Sequence, residues 1–147
     1  VMVATAKGQA VRFKESDIRQ MGRTAGGVRA MKLGKDDAVV GANAVKKEYK
    51  NPEALVVTSL GYGKKTPIAE YKVQKRGGSG IKTANITPKT GNLVYARALS
   101  GEEEDLIVIS QHGQVIRTAI ADIAKISRST QGVRVMLSCT GPVPRFG

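Results

Sequence analysis

Laid over itself, the chain repeats. Val1-Met2-Val3-Ala4-Thr5-Ala6-Lys7-Gly8, Leu55-Val56-Val57-Thr58-Ser59-Leu60-Gly61-Tyr62-Gly63 and Leu106-Ile107-Val108-Ile109-Ser110-Gln111-His112-Gly113 are each a short apolar run closed by a glycine, which predicts a strand and then a turn. Ten residues beyond Gly8, Gly63 and Gly113 stand the apolar anchors Ile18, Val73 and Ile123. A basic loop follows each anchor, at residues 23–29, 76–82 and 128–134, in the order basic residue, small or polar residues, glycine, β-branched residue, basic residue. The intervals from Gly27 to Gly80 and from Gly80 to Gly132 are 53 and 52 residues. A unit of that size buries little apolar surface by itself, so copies must stack, and the period suits one four-stranded sheet per copy, as in propeller blades. The expected fold is all-β, with about three four-stranded blades in repeats at approximately 1–54, 55–105 and 106–147.

Alternation places the remaining strands. In Val133-Arg134-Val135-Met136-Leu137, the residues Val133, Val135 and Leu137 would share one half-buried face. Residues 92–99 and 37–42 read as the fourth strands of the second and first copies. The segment around Ser16-Asp17-Ile18 fits one turn of helix capped by Asp17, as Asp122 would cap its counterpart, or a plain turn or bulge. The third copy reaches Gly141-Pro142-Val143-Pro144 without a fourth strand.

The 24 Lys and Arg against 12 Asp and Glu leave a formal charge of +12. Residues 8–33, 63–86 and 113–137, the equivalent half of each copy, hold sixteen basic and four acidic residues, and everything else holds eight of each. The whole excess therefore lies in three equivalent segments. If the copies stack side by side, those segments line one edge as a positive stripe. Such a stripe suits a polyanion bound by counterion release. With no Trp, two Phe and four Tyr, the chain lacks a platform for stacking unpaired bases, so duplex backbone read with little base preference is the expected ligand.

Other chemistries find little support. Gly77-Gly78-Ser79-Gly80 lacks the Gly-Lys-Ser/Thr of a nucleotide-binding loop, and His112 has no Cys or carboxylate at ligand spacing. No paired carboxylate or Ser/His/Asp arrangement suggests hydrolysis, and no tyrosine reads as catalytic. The run Glu102-Glu103-Glu104-Asp105 reads as a solvated loop facing away from the polyanion. Cys139, the one cysteine, reads as a small strand residue that cannot form an internal disulfide, which points to a reducing compartment and the cytoplasm. Apolar runs of five or six residues are too short to span a membrane as helices, and no secretory leader is visible. The chain begins where a repeat begins and without an initiator methionine, as a piece of a longer protein would.

Gln9-Ala10-Val11-Arg12-Phe13-Lys14-Glu15-Ser16, Gly26-Gly27-Val28-Arg29, Gly61-Tyr62-Gly63-Lys64-Lys65-Thr66-Pro67 and Thr130-Gln131-Gly132-Val133-Arg134 resemble, in order, signatures of the gyrase A C-terminal domain family. Gln74-Lys75-Arg76-Gly77-Gly78-Ser79-Gly80 approximates that family's Gln-Arg-Arg-Gly-Gly-basic-Gly box, with Ser79 where a basic residue is expected. The resemblance implies the last three blades of a β-pinwheel, a propeller-like array whose blades exchange strands. It implies a non-catalytic module that wraps duplex DNA in a type IIA topoisomerase, the isomerase DNA gyrase, supporting ATP-dependent negative supercoiling. The implied partners are duplex DNA, the remainder of the gyrase A polypeptide and the gyrase B polypeptide, with no membrane. No cofactor is implied here, ATP and Mg being bound elsewhere in the holoenzyme, and the implied location is cytoplasmic and nucleoid-associated. The related topoisomerase IV domain and a propeller-like scaffold for an acidic protein are the alternatives. The expected DNA contacts are Arg12, Lys14, Lys64, Lys65 and Arg117, presented outward after the turn glycines, and Arg23, Arg29, Lys75, Arg76, Lys82, Arg128 and Arg134, flanking the glycine loops.

Overall fold

The structure, a computed structural model, describes residues 1–136. The stretch 137–147, with Leu137, Cys139 and the Gly-Pro-Val-Pro segment, lies outside the described residues. The fold is all-β, as expected. Its strands in chain order are β1 (Met2–Thr5), β2 (Gln9–Arg12), β3 (Val39–Asn43), β4 (Glu53–Thr58), β5 (Tyr62–Pro67), β6 (Ile81–Lys82), β7 (Leu93–Leu99), β8 (Asp105–Ile109), β9 (Val115–Ala119) and β10 (Val133–Arg134). Among the described residues no helix is long and apolar enough to cross a membrane.

The strands form two four-stranded sheets, ordered β3-β1-β2-β6 and β10-β5-β4-β7, and a two-stranded pair β8-β9. Each copy opens with an antiparallel hairpin: Val3 faces Val11, Leu55 faces Lys65, and Ile107 faces Arg117. The four strands of a sheet do not all come from one copy. β6, which closes the basic loop of the second copy, pairs with β2 of the first, and β10 of the third copy pairs with β5 of the second. Alternation marks such a segment as a strand but does not name the sheet that receives it. In the first copy the equivalent residues Val28 and Arg29 lie in no strand, and β10 is two residues long rather than five.

Hairpin geometry also corrects the alignment of the second copy. The glycine with left-handed backbone is Gly61 (φ +80), matching Gly8 (φ +78) and Gly113 (φ +79), whereas Gly63 lies inside β5. Ten residues beyond Gly61 stands Tyr71, so the buried anchor is Tyr71, 1% exposed, and not Val73, 51% exposed. The Tyr71 hydroxyl lies 2.5 Å from Thr83 Oγ1. The segments before the anchors are single 3-10 turns, Glu15–Asp17, Ile68–Glu70 and Ile120–Asp122. Asp17 and Asp122 lie inside these turns and not at their caps, and among the described residues no side chain caps them.

Burial follows from the stacking. β4 alternates Ala54 and Val56 toward one face and Leu55 and Val57 toward the other, yet all four are buried. Ala54 and Val56 join Met2, Ala4, Ala10, Tyr71, Ala84 and Ala96 in the core between the first two sheets. Leu55 and Val57 join Leu99, Ile120 and Ile123 in the core toward the third. A strand covered on both faces must be apolar throughout, and this one reads Ala-Leu-Val-Val. The sheets crowd together along their β3 and β7 edges, where a Cβ on Gly41 would lie 2.4 Å from Ala96 O. The opposite edges end in the exchanged strands β6 and β10.

The exchange relies on glycines where backbones touch. A Cβ on Gly80 (φ +79) would lie 2.5 Å from Ala10 O, and one on Gly61 would lie 2.3 Å from Met136 O. Gly27 has the same left-handed backbone, with φ +80, but among the described residues a Cβ added there would meet nothing within 4 Å. The variant Gly27→Ala should therefore lose only the left-handed backbone penalty, about 1 kcal/mol, while Gly80→Ala adds a backbone clash and should lose about 3 kcal/mol. Urea unfolding measures both. Equal losses would show that the close approach at Gly80 does not constrain the joint.

Candidate nucleic-acid interface

Each of the second and third basic loops is pinned at both ends to the hairpin of the preceding copy. On the entering side, Gln74 N donates to Arg12 O at 2.7 Å and Ile126 N to Lys65 O at 2.9 Å. On the leaving side, Thr83 N donates to Gly8 O and Val135 N to Gly61 O, both at 2.8 Å. The backbone of the loop between is anchored at both ends, which places its residues at the sheet edge.

Successive loops also hold one another. Arg76 NH1 donates to the carbonyl of Arg29 at 3.3 Å, and at the equivalent place Arg128 NH1 donates to the carbonyl of Lys82 at 2.9 Å. Arg76 Nε also donates to Asp17 O, and Gly77 N to Ala30 O. The second loop thus lies against the first, and the third against the second. Arg76 is brought to the main chain of Arg29, and Arg128 to that of Lys82; Lys75 and Arg134 lie in sequence on the same loops. Of the twelve expected contacts, Lys14, Arg23, Arg29, Lys75, Arg76, Lys82, Arg117 and Arg134 are exposed, and Arg12 and Arg128 are half-buried.

Three of the twelve turn inward. Lys64 is 1% exposed, and its Nζ donates to the carbonyls of Ser127 (2.8 Å), Arg128 (2.7 Å) and Thr130 (2.8 Å) and to Thr130 Oγ1 (3.1 Å). Its ammonium fills the inside of the third basic loop, and satisfied acceptors are what allow such a charge to be buried. Lys65, also buried, lies 3.5 Å from the Glu53 carboxylate, which Lys125 reaches at 2.8 Å. Arg117 repeats the Lys65 arrangement on the next hairpin, pairing through Nε with Asp105 at 2.8 Å, but its side chain is 73% exposed. Arg12 turns toward the second copy and donates to Ile68 O and Tyr71 O at 3.2 and 3.1 Å.

The Gly-Tyr-Gly-Lys-Lys-Thr-Pro stretch therefore forms a socket. Gly61 receives the backbone at 135–136, Lys64 fills the third loop, Thr66 Oγ1 donates to Ile126 O, and Arg134 NH2 donates to the Tyr62 hydroxyl at 3.2 Å. Arg134 and Lys89 lie 5.6 and 5.8 Å from the Tyr62 ring centre. Lys89 falls outside the three segments that hold the charge excess and carries no sequence signal of its own.

The acidic run is partly structural. Glu103 accepts hydrogen bonds from Ser100 N, Ser100 Oγ and Gly101 N; burial would raise its pKa, but these donors together hold it below the usual value. Asp105 is the partner of Arg117. Among the described residues no three His, Cys, Asp or Glu side chains cluster as metal ligands.

A family model described as the DNA gyrase C-terminal domain, beta-propeller, matches residues 1–46, 52–100 and 104–140. The chain belongs to the DNA gyrase C-terminal domain family. The gyrase A polypeptide of Staphylococcus epidermidis is 46% identical over 136 residues, and that of Staphylococcus aureus 43%. Each alignment covers 92% of this chain and 15% of the relative, so the chain spans about one seventh of the length of these proteins. A solved DNA gyrase A C-terminal domain superposes with a TM-score of 0.78 at 28% identity, over 95% of this chain and 46% of that one. The C-terminal domain of DNA topoisomerase IV superposes with a TM-score of 0.83 at 20% identity, over 92% and 41%, a likeness of fold.

In this gyrase-family domain the lysine cage is open to a direct test. Burial lowers the Lys64 pKa from 10.5 to about 8, opposed by the Glu70 carboxylate and assisted by Arg128. A lysine with a lower pKa folded than unfolded holds its proton less tightly when folded. Its contribution to stability is therefore flat below pH 8 and grows as pH climbs from 8 toward 10.5. The variant Lys64→Met strips three carbonyls of a donor and should lose about 2 kcal/mol at pH 7. In urea titrations from pH 7 to 10, the stability gap between wild type and variant should widen above pH 8. A gap that closes would show that the charged ammonium is what the loop requires.

Proposed function

We propose that this chain is a non-catalytic duplex-DNA-binding module that wraps DNA along its line of basic loops. The observation that carries the reading is the pair of equivalent contacts from Arg76 to the Arg29 carbonyl and from Arg128 to the Lys82 carbonyl. They turn three separate charge clusters into one border, along which a polyanion with one charge per ~1.7 Å of axis would lie. Duplex is favoured over single strands because Tyr49, Tyr62, Tyr71 and Tyr95 do not form a platform: Tyr71 is wholly buried and Tyr62 is 5% exposed. The kinship with the gyrase A polypeptides supports the finer reading. In it the module works with the remainder of gyrase A and with gyrase B, and bends DNA for ATP-dependent negative supercoiling carried out elsewhere in the enzyme.

Among the described residues the side chains of Lys75 and Lys82 make no hydrogen bond or ion pair. On the second basic loop their charge is open to phosphate, as is that of the exposed Lys14, Arg23 and Arg29 elsewhere. In fluorescence anisotropy with labelled duplexes, log affinity should fall linearly with log salt. The double variant Lys75→Glu/Lys82→Glu should weaken binding by the same factor on unrelated sequences and reduce the salt slope by about 2. Binding indifferent to salt, or a loss confined to one sequence, would overturn the reading.

A further inference from the structure

Two cations converge on one phenol. Arg134 NH2 is 3.2 Å from the Tyr62 hydroxyl and its guanidinium carbon 5.6 Å from the ring centre, while Lys89 Nζ lies 5.8 Å from the same centre. Among the described residues neither cation is in ion-pair reach of a carboxylate; the carboxylates that are paired, Glu53 and Asp105, serve Lys65, Lys125 and Arg117. Two like charges held at one ring without an anion between them attract one.

The three groups are held from different parts of the fold. Tyr62 opens β5 with its ring buried. Arg134 belongs to β10, and its register places it directly opposite Tyr62. Lys89 rides on a turn closed by Thr90, whose fully buried hydroxyl bridges Thr87 O and Gly91 O and whose carbonyl accepts from Leu60 N at 3.0 Å. The Tyr62 hydroxyl oxygen accepts from Arg134, which leaves its own hydrogen free to donate. The Arg134 hydrogen bond, the strongest influence, holds the Tyr62 pKa below its ordinary value and makes the phenol a stronger donor.

We propose that Lys89, Arg134 and the Tyr62 hydroxyl form a clamp for a single phosphate, an oxyanion site at the joint between the second and third copies. Resting on the duplex-DNA reading, the natural occupant is one phosphodiester of the DNA backbone. Because Arg134 comes from the third copy and Tyr62 and Lys89 from the second, the clamp exists only where the two are joined, so it reports the joint as well as the charge.

The test uses the full chain and the variants Lys89→Ala, Arg134→Ala and both together. Lys89 is exposed on its turn, so its truncation leaves the packing intact. In duplex anisotropy against salt, the double variant should lower the slope by about 0.9, one phosphate's worth, whereas contacts to two separate phosphates would lower it by about 1.8. In parallel, inorganic phosphate is titrated against the Tyr62 ring resonances, which should shift saturably in wild type and not in the double variant. A slope unchanged by the double variant together with an unmoved Tyr62 resonance would overturn the clamp and leave the duplex reading standing. A phosphate-dependent Tyr62 shift without duplex binding would keep the oxyanion site and defeat the duplex reading. A double variant that lowers the slope by two phosphates would show separate contacts and no clamp.

Discussion

Much of this structure depends on a place where two backbones nearly touch. At Gly80 and Ala10, and at Gly132 and Gly63, a strand of one copy crosses the hairpin of the copy before it so closely that an added Cβ would lie 2.5 and 3.0 Å from the facing carbonyl oxygen. That approach needs a left-handed residue, and φ values of +79 and +91 show that Gly80 and Gly132 supply it. Because the crossing strand belongs to the next copy, each sheet is complete only when its neighbour is present. The sheets cannot then slide past one another, and whatever the crossing loops carry is fixed at the sheet edge.

The positive charge divides into two kinds along that joint. Lys64, Lys65 and Arg12 turn inward and bond to carbonyls or to a carboxylate of the neighbouring elements. They hold the loops in place. Arg29, Lys75, Arg76, Lys82 and Arg134 stay exposed even where they make a backbone contact. Arg76 does both, since its exposed guanidinium links two loops through main-chain carbonyls. A guanidinium has five donors in a planar fork, so two such bonds leave others for an external oxyanion.

The period, the apolar runs and the loop glycines were legible in the sequence because each reflects a local demand repeated three times. The strand at Val133 was legible too, but not its partner, since Gly63 lies seventy residues away and alternation carries no address. Counting from Gly63 misplaces the anchor of the second copy, because that copy has two glycines close together, of which only Gly61 takes positive φ in the turn and Gly63 lies inside β5. Lys64 reads as exposed by default, and its cage consists of main-chain oxygens sixty-three to sixty-six residues on, which no side-chain pattern announces. Lys89 was invisible for the same reason: it joins Arg134 only through Tyr62, across the exchanged strand.

Lysine acetylation read by mass spectrometry, with and without duplex DNA, tests most directly whether exchange of strands divides these cations into inner and outer sets. Lys75 and Lys82 should react readily in the free protein and be protected by the duplex, while Lys64 should stay unreactive in both states. Lys64 reacting as fast as Lys75, or Lys75 and Lys82 unaffected by DNA, would contradict the account.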